Sequence, residues 1–451
     1  MASHLSVEPP VTLATPPTTM TSEARRTYWG LVAVMFQGAF SDNVYRFILT
    51  MMLIDVATAS TATLTEANTM AASYQQAINL AIALPWIIMA TIAGWMSGRF
   101  SKVAVSRWTK LLEVAIMGLA IGVLATKVPA LGIVILFLMF VQSALFGPAK
   151  YGLLPEVLPH DRVGWGTGVL QAFTFVSILA GTIVGPWLYG EVRDTLWMAG
   201  VVLVALALVG YLFSLMMVPT PPENPGEVFY ANPLKMMGPH VRAILAHRGL
   251  RWTILCNAVF WGVAIMFQGS ATQLLKLALG LTAANVGIAM IPIVIGNGLG
   301  CFLASLLSRR GILLASVPWF AALMVVGSAV LVAFVPGVDV LETMDEQARR
   351  NLAWIASPVM GMIGLCAGAL VVPLQSYIVS ASEPALRSGI WAANNLFVAF
   401  GWVVGGILYA PLATMRNNPA DVFLAGSLIV LAVIAFAAMR FAPLRPLAAR
   451  V

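Results

Sequence analysis

Apolar runs of about 20 residues recur from Leu31 to the C-terminus, and each is long enough to cross a hydrocarbon core of roughly 30 Å as an α-helix. In lipid a chain must satisfy its own backbone hydrogen bonds, so such runs can only be helices or strands of a closed barrel. Alternating segments of about ten residues, the mark of a barrel, do not occur. Only 10% of the 451 residues are charged while 60% are apolar, against roughly a quarter charged in a soluble domain. The formal charge of +7 comes from basic residues scattered among short loops. That is a signature of membrane topology and not of a nucleic-acid footprint.

The apolar pattern predicts twelve spanning helices, six in each half. The first six cover 30–57, 73–97, 104–126, 129–150, 164–189 and 195–218; the second six cover 252–279, 284–307, 311–335, 351–379, 388–413 and 420–441. With both termini inside, eighteen of the twenty-five Lys and Arg residues fall on the cytoplasmic side, Lys127, Arg193, Lys276, Arg349, Arg350 and Arg416 fall outside, and Arg46 sits within the first helix. Residues 219–251, rich in proline and basic side chains, read as a cytoplasmic linker between a 27–218 half and a 252–441 half. Residues 1–26 and 442–451 read as cytoplasmic tails, the first too poor in apolar residues to fold. Arg25 and Arg26 precede a long apolar stretch without a small-residue cleavage site, which predicts a retained first helix.

An internal echo supports the two halves. Gly181, Gly185 and Tyr189 recur as Gly401, Gly405 and Tyr409, each pair 220 residues apart. Pro148 to Tyr151 resembles Pro373 to Tyr377 with a five-residue shift.

Charges within a membrane helix are costly and usually face a cavity or a partner, so they are the first candidates for function. Asp42 and Arg46 lie near the middle of the first helix at i and i+4, close enough to pair. They form either a polar substrate or ion site at the midplane or a self-neutralising structural pair. Lys110 and Glu113 make a second pair at i and i+3, near the cytoplasmic end of the third helix, where snorkelling is cheap and the role is structural or gating. Lys150 and Tyr151 end the fourth helix; Lys150 is either an anion contact or an ordinary cytoplasmic lysine. In the second half Asn257, Trp261 and Gln268 share a face of the seventh helix, and Asn394 and Asn395 lie on the eleventh. These amides suit a hydrated lumen or interhelical hydrogen bonds. Arg99 and Lys102, in the segment Gly94 to Lys102, read as a gating latch, with Arg309 and Arg310 as its loose counterpart.

Several chemistries are not indicated. There is no Gly-x-x-x-x-Gly-Lys-[Ser/Thr] loop for nucleotide-driven transport, and Gly296 to Gly300 lies inside an apolar helix. No Gly-x-Ser-x-Gly elbow or soluble carboxylate pair suggests an enzyme. The four histidines lack metal-ligand spacing, and Cys256, Cys301 and Cys366 sit in apolar segments as small hydrophobes. Nothing implies a cofactor.

Two six-helix halves, the central loop and Gly94 to Lys102 resemble the major facilitator superfamily, whose signature after the second helix reads approximately Gly-x-x-x-Asp-Arg-x-x-Arg/Lys. Arg99 and Lys102 match it; Gly98 stands where the family has its acid. Within that superfamily, Phe40-Ser41-Asp42-Asn43, Pro148-Ala149-Lys150-Tyr151-Gly152, Phe260-Trp261-Gly262 and Val371-Val372-Pro373-Leu374 resemble the bacterial lysophospholipid transporters. The resemblance implies an inner-membrane protein that flips lysophospholipids for re-acylation by a cytoplasmic acyltransferase, with Asp42, Asn43 and Lys150 near the headgroup. That family carries an arginine on the seventh helix where this chain has Gln268, and Arg46 is the candidate replacement. The reading from the residues alone also leaves a proton-coupled antiporter for drugs or metabolites, with Asp42 or Glu113 taking the proton.

Overall fold

The computed structural model describes residues 20–159, 163–222, 225–226, 229, 233–307, 314–382, 387–415 and 418–444. Among them the regular structure is entirely helical. The helices are α1 (Ser22–Ser60), α2 (Leu64–Ile88, continued as Ala90–Arg99), α3 (Lys102–Thr126), α4 (Pro129–Val157), α5 (Val163–Glu191) and α6 (Trp197–Leu215), then α7 (Arg248–Gln273), α8 (Ala283–Ala289, continued as Ile291–Leu307), α9 (Val317–Phe334), α10 (Glu346–Ala381), α11 (Arg387–Thr414) and α12 (Asp421–Arg440). Among the described residues nine helical segments are long and apolar enough to cross a membrane, and the bent pair of α2, kinked by 47° one turn after Pro85, makes ten. Helices α1 and α5, of 39 and 29 residues, complete the twelve; at about 1.5 Å per residue both exceed the hydrocarbon thickness. Gln37, Asp42, Asn43 and Arg46 lower the hydropathy of α1.

The first helix begins at Ser22 and not after Arg26, because the Thr21 side chain accepts a hydrogen bond from the Ala24 N–H and caps it. Between the halves, Pro233–Ala246 forms a further helix. Residues 1–19, 445–451, Arg309 and Arg310 lie outside the described set.

The helices bury apolar faces on one another and leave residues such as Leu119, Leu212, Val326 and Phe302 exposed on the outside. Such faces are stable only against lipid tails. The glycine echo sets the same packing in both halves. A Cβ at Gly181 or Gly185 would come within 2.7 Å of Asn43 Cβ and 2.8 Å of Phe47 Cβ on α1, and one at Gly401 or Gly405 would collide with the Ala258 or Gly262 carbonyl of α7. Glycine is therefore what lets the fifth helix of each half lie on the first.

We call the end that carries the linker the linker end and the opposite one the far end. At the far end a single core unites Val44 to Leu53 of α1 with Ile265 to Leu279 and Tyr409 to Phe423 from the other half. At the linker end the cores are separate: Tyr28, Leu31, Val103 and Leu154 pack in the first half, and Ile244, Leu250, Ile378 and Ile390 in the second. The halves are thus joined at one end and packed independently at the other.

Candidate functional site

Asp42 and Arg46 share the middle of α1 but do not pair with each other. The Ser143 hydroxyl of α4 donates to Asp42 Oδ2 at 2.7 Å, and Oδ1 is buried without a partner among the described residues. Arg46 turns the other way and donates through Nη1 to Gln268 Oε1 on α7, in the second half. The self-neutralising pair is therefore corrected: each charge has a better placed neutral partner on a different helix, so the i,i+4 approach is not used. Both side chains are at least nine-tenths buried. A carboxylate oxygen with no hydrogen bond is expensive to bury and marks a place where a ligand donor can be accepted.

Charge around Asp42 is dense. Lys110, Lys150 and Glu113 all lie within Coulombic reach of it. Lys110 and Glu113 are 1% and 2% exposed, so neither snorkels. The reason is a third residue: Lys110 Nζ donates to Glu113 Oε2 at 2.6 Å and to Gln37 Oε1 at 2.7 Å, while Gln37 Nε2 donates to Glu113 Oε1 at 2.9 Å. The ring closes because Gly38 and Gly210 leave room for Lys110 and Gln37. Every member is satisfied, which is what makes a buried ion pair tolerable.

Lys102, 2% exposed, pairs with Glu156 at the end of α4, and Arg99 sits over the Trp95 ring at 5.9 Å. Glu156 thus supplies an acid to the latch segment from another helix, where Gly98 has none. Lys150 is buried, and Tyr151 lies in α4 with its side chain outside the described set. Asn43 donates to the Ala39 carbonyl at 2.8 Å and packs towards Gly181, away from Ser143.

On α7 the expected polar face divides among different partners. Asn257 Nδ2 donates to Asn394 Oδ1 at 3.1 Å, an interhelical bond within the second half. Trp261 stacks edge-on with Phe260, and Gln268 crosses to Arg46. Asn395 is exposed. The structure therefore brings together Asp42, Lys150, Lys110 and Glu113 on one side and Arg46 with Gln268 on the other, and leaves Asn257 and Asn394 to each other.

The family model of the Major Facilitator Superfamily matches residues 31–406. The chain belongs to that superfamily. Among its relatives, the lysophospholipid transporter LplT of Enterobacter sp. (strain 638) is 24% identical over 387 residues, covering 80% of this chain and 91% of that protein. LplT of Citrobacter koseri is 23% identical over 381 residues, covering 82% and 84%. Among solved structures, the nucleoside transporter NupG superposes with a TM-score of 0.65 at 13% identity, covering 92% of this chain and 100% of that one. A bacterial homologue of the human lysosomal transporter Spinster, inward-facing and unoccupied, gives 0.64 at 12%, covering 94% and 97%. At these identities the structures establish the fold alone.

At the far end a polar cluster that the sequence reading missed bridges the two halves. Asp55, near the end of α1, accepts from Tyr189 Oη at 2.6 Å and pairs with Arg193 at 2.9 Å and with Lys276 of the second half at 2.6 Å. Lys276 stands on the π-helical turn Leu274–Ala278 that extends α7, and its Nζ also donates to the Met51 carbonyl. Gln273 donates to Asn68 at 2.7 Å and accepts from Tyr409. Tyr189 and Tyr409, the last members of the glycine echo, thus each bond the first helix of their own half. That repeat is the sequence signal from which Asp55 and Gln273 could have been found, although it reads only as evidence for two halves.

Proposed function

We propose that this transporter moves lysophospholipids between the leaflets of the bacterial inner membrane by alternating access. The observation that carries the reading is the divergence of Asp42 and Arg46 at mid-depth. An acid with one unused oxygen and a guanidinium that spans the two halves offer both signs of charge to a zwitterionic headgroup, the acid to its ammonium and Arg46 to its phosphate. Apolar surface between the halves would take the single acyl chain. The names of the relatives point the same way. Lys150 adds a second cation near Asp42, and Arg46 stands in for the arginine that the resembling family carries on its seventh helix. In this reading both termini are cytoplasmic, and the product is consumed by a cytoplasmic acyltransferase.

Reconstituted protein should move fluorescent lysophosphatidylethanolamine between leaflets. Equal rates in empty and protein-containing vesicles would reject the proposal. Proton-coupled export of small molecules is the alternative, and it is narrowed by geometry to Asp42, because Glu113 is held by both Lys110 and Gln37. A pH gradient that drives solute uptake without any lipid movement would favour it instead.

A further inference from the structure

The start of α1 runs against the usual electrostatics of a helix. A helix N-terminus carries the positive end of the peptide dipoles, where basic side chains cost stability. Yet Arg25 and Arg26 stand within its first five residues, with Glu23 as the acid beside them. Both arginines are exposed, and neither forms an ion pair among the described residues. They border a groove of about 390 Å³ with Trp29, Gly30 and Ala33 of α1 on one side and Phe213 of α6 and Met216, its C-cap, on the other. The two helices meet closely at its floor, where a Cβ on Gly30 would come within 2.9 Å of Met217 Cγ.

The apolar lining extends along the helix. Arg25, Trp29 and Phe36 follow one another at spacings of four and seven and so share a face. Trp29 and Phe36 both meet Phe173 of α5 edge-on, at centroid distances of 6.4 and 6.3 Å. Trp29 and Phe173 nevertheless stay 45% and 42% exposed. An indole with arginines one turn above it is the pattern of a membrane boundary.

We propose that this groove binds an anionic phospholipid of the leaflet at the linker end, its phosphate between Arg25 and Arg26 and one acyl chain laid over Trp29, Ala33 and Phe213. Charge complementarity selects the occupant. Two exposed guanidiniums match a phosphate, and basic side chains at this depth are drawn to an anionic leaflet. A soluble anion would leave the apolar groove empty, and a second copy of this chain would bring arginines to arginines. The site is separate from the cargo pathway, so the inference does not depend on which substrate is moved.

Native mass spectrometry of the delipidated full chain in detergent, titrated with phosphatidylglycerol, phosphatidylcholine or glycerol phosphate, tests it. One phosphatidylglycerol should bind more tightly than phosphatidylcholine, and Arg25→Gln with Arg26→Gln should weaken it by about thirtyfold. Ala33→Trp, which keeps both arginines and fills the groove, should abolish the same adduct. If one of these variants aggregates, the other decides. Unchanged binding in a monodisperse variant, equal binding of the two lipids, or glycerol phosphate that binds as well as phosphatidylglycerol would each overturn the proposal.

Discussion

At the scale of single residues, Asp42 and Arg46 do work that their spacing does not reveal. Asp42→Asn keeps the Ser143 contact but removes the charge offered to an ammonium. Its transport of lysophosphatidylethanolamine should fall at least about tenfold, equivalent to one charge-assisted hydrogen bond of about 1.5–3 kcal/mol. Unchanged transport at equal expression would remove Asp42 from the site. Arg46 and Gln268 provide a stricter test. Arg46→Gln alone should slow transport, and adding Gln268→Arg should restore part of the rate, because the cation then stands across the same contact on α7. A double variant no faster than the single one would show that the position of the charge, and not its presence, is what matters. These candidates were legible because a charge in an apolar run is rare. Ser143, the partner of Asp42, and Gln37, the partner of Lys110 and Glu113, were not, since a lone serine or glutamine in such a run usually makes an ordinary interhelical bond.

At the scale of elements, the close pairs α1 with α5 and α7 with α11 rest on glycine. Gly181→Leu would force a side chain into Asn43 and the Phe40 carbonyl, and Gly401→Leu into the Ala258 carbonyl. Each should lower the midpoint of thermal unfolding in detergent, at a cost of about 1–3 kcal/mol or more for overpacking. Gly118→Leu, where a new side chain meets open space, is the control that should leave the midpoint almost unchanged. Equal losses at all three positions would reject close packing as the cause. The buried ring on α3 belongs here too. Gln37→Leu removes two of its three hydrogen bonds and should destabilise the first half by about 1–3 kcal/mol per unsatisfied group, read from the same midpoint. An unchanged midpoint would mean that Lys110 and Glu113 suffice alone.

Across the whole molecule, the asymmetry between the two ends is the property that bears on transport. The far end holds a shared core and the Asp55 lock, with Leu64 and Thr65 of α2 also bonded to Glu342 across the halves. The linker end keeps two separate cores. Lys276→Met should release the lock while Tyr189 and Arg193 still satisfy Asp55. A cysteine placed at Leu277, buried beside Lys276 between the halves, should then react with a membrane-impermeant maleimide from the far side about tenfold faster, the shift expected for about 1.4 kcal/mol lost by the closed state. Equal labelling in both backgrounds would mean that the apolar core alone holds this end shut.

The sequence by itself determined the solvent, the helix count and the division into halves, because hydropathy over about 20 residues is a local property that lipid enforces. The motif from Phe40 to Asn43 and the glycine echo are local in the same sense. Which charge meets which partner was decided only by tertiary structure. Asp42 takes Ser143 from α4, 101 positions along the chain, and Arg46 takes Gln268, 222 positions along. A side chain can reach several helices from one position on α1, and the choice depends on how helices distant in sequence cross. The Asp55 lock has the same origin: Asp55 of α1 meets Tyr189 of α5 and Arg193 just after it within the first half, and Lys276, on a π-turn of α7, joins them only where the second half packs against the first.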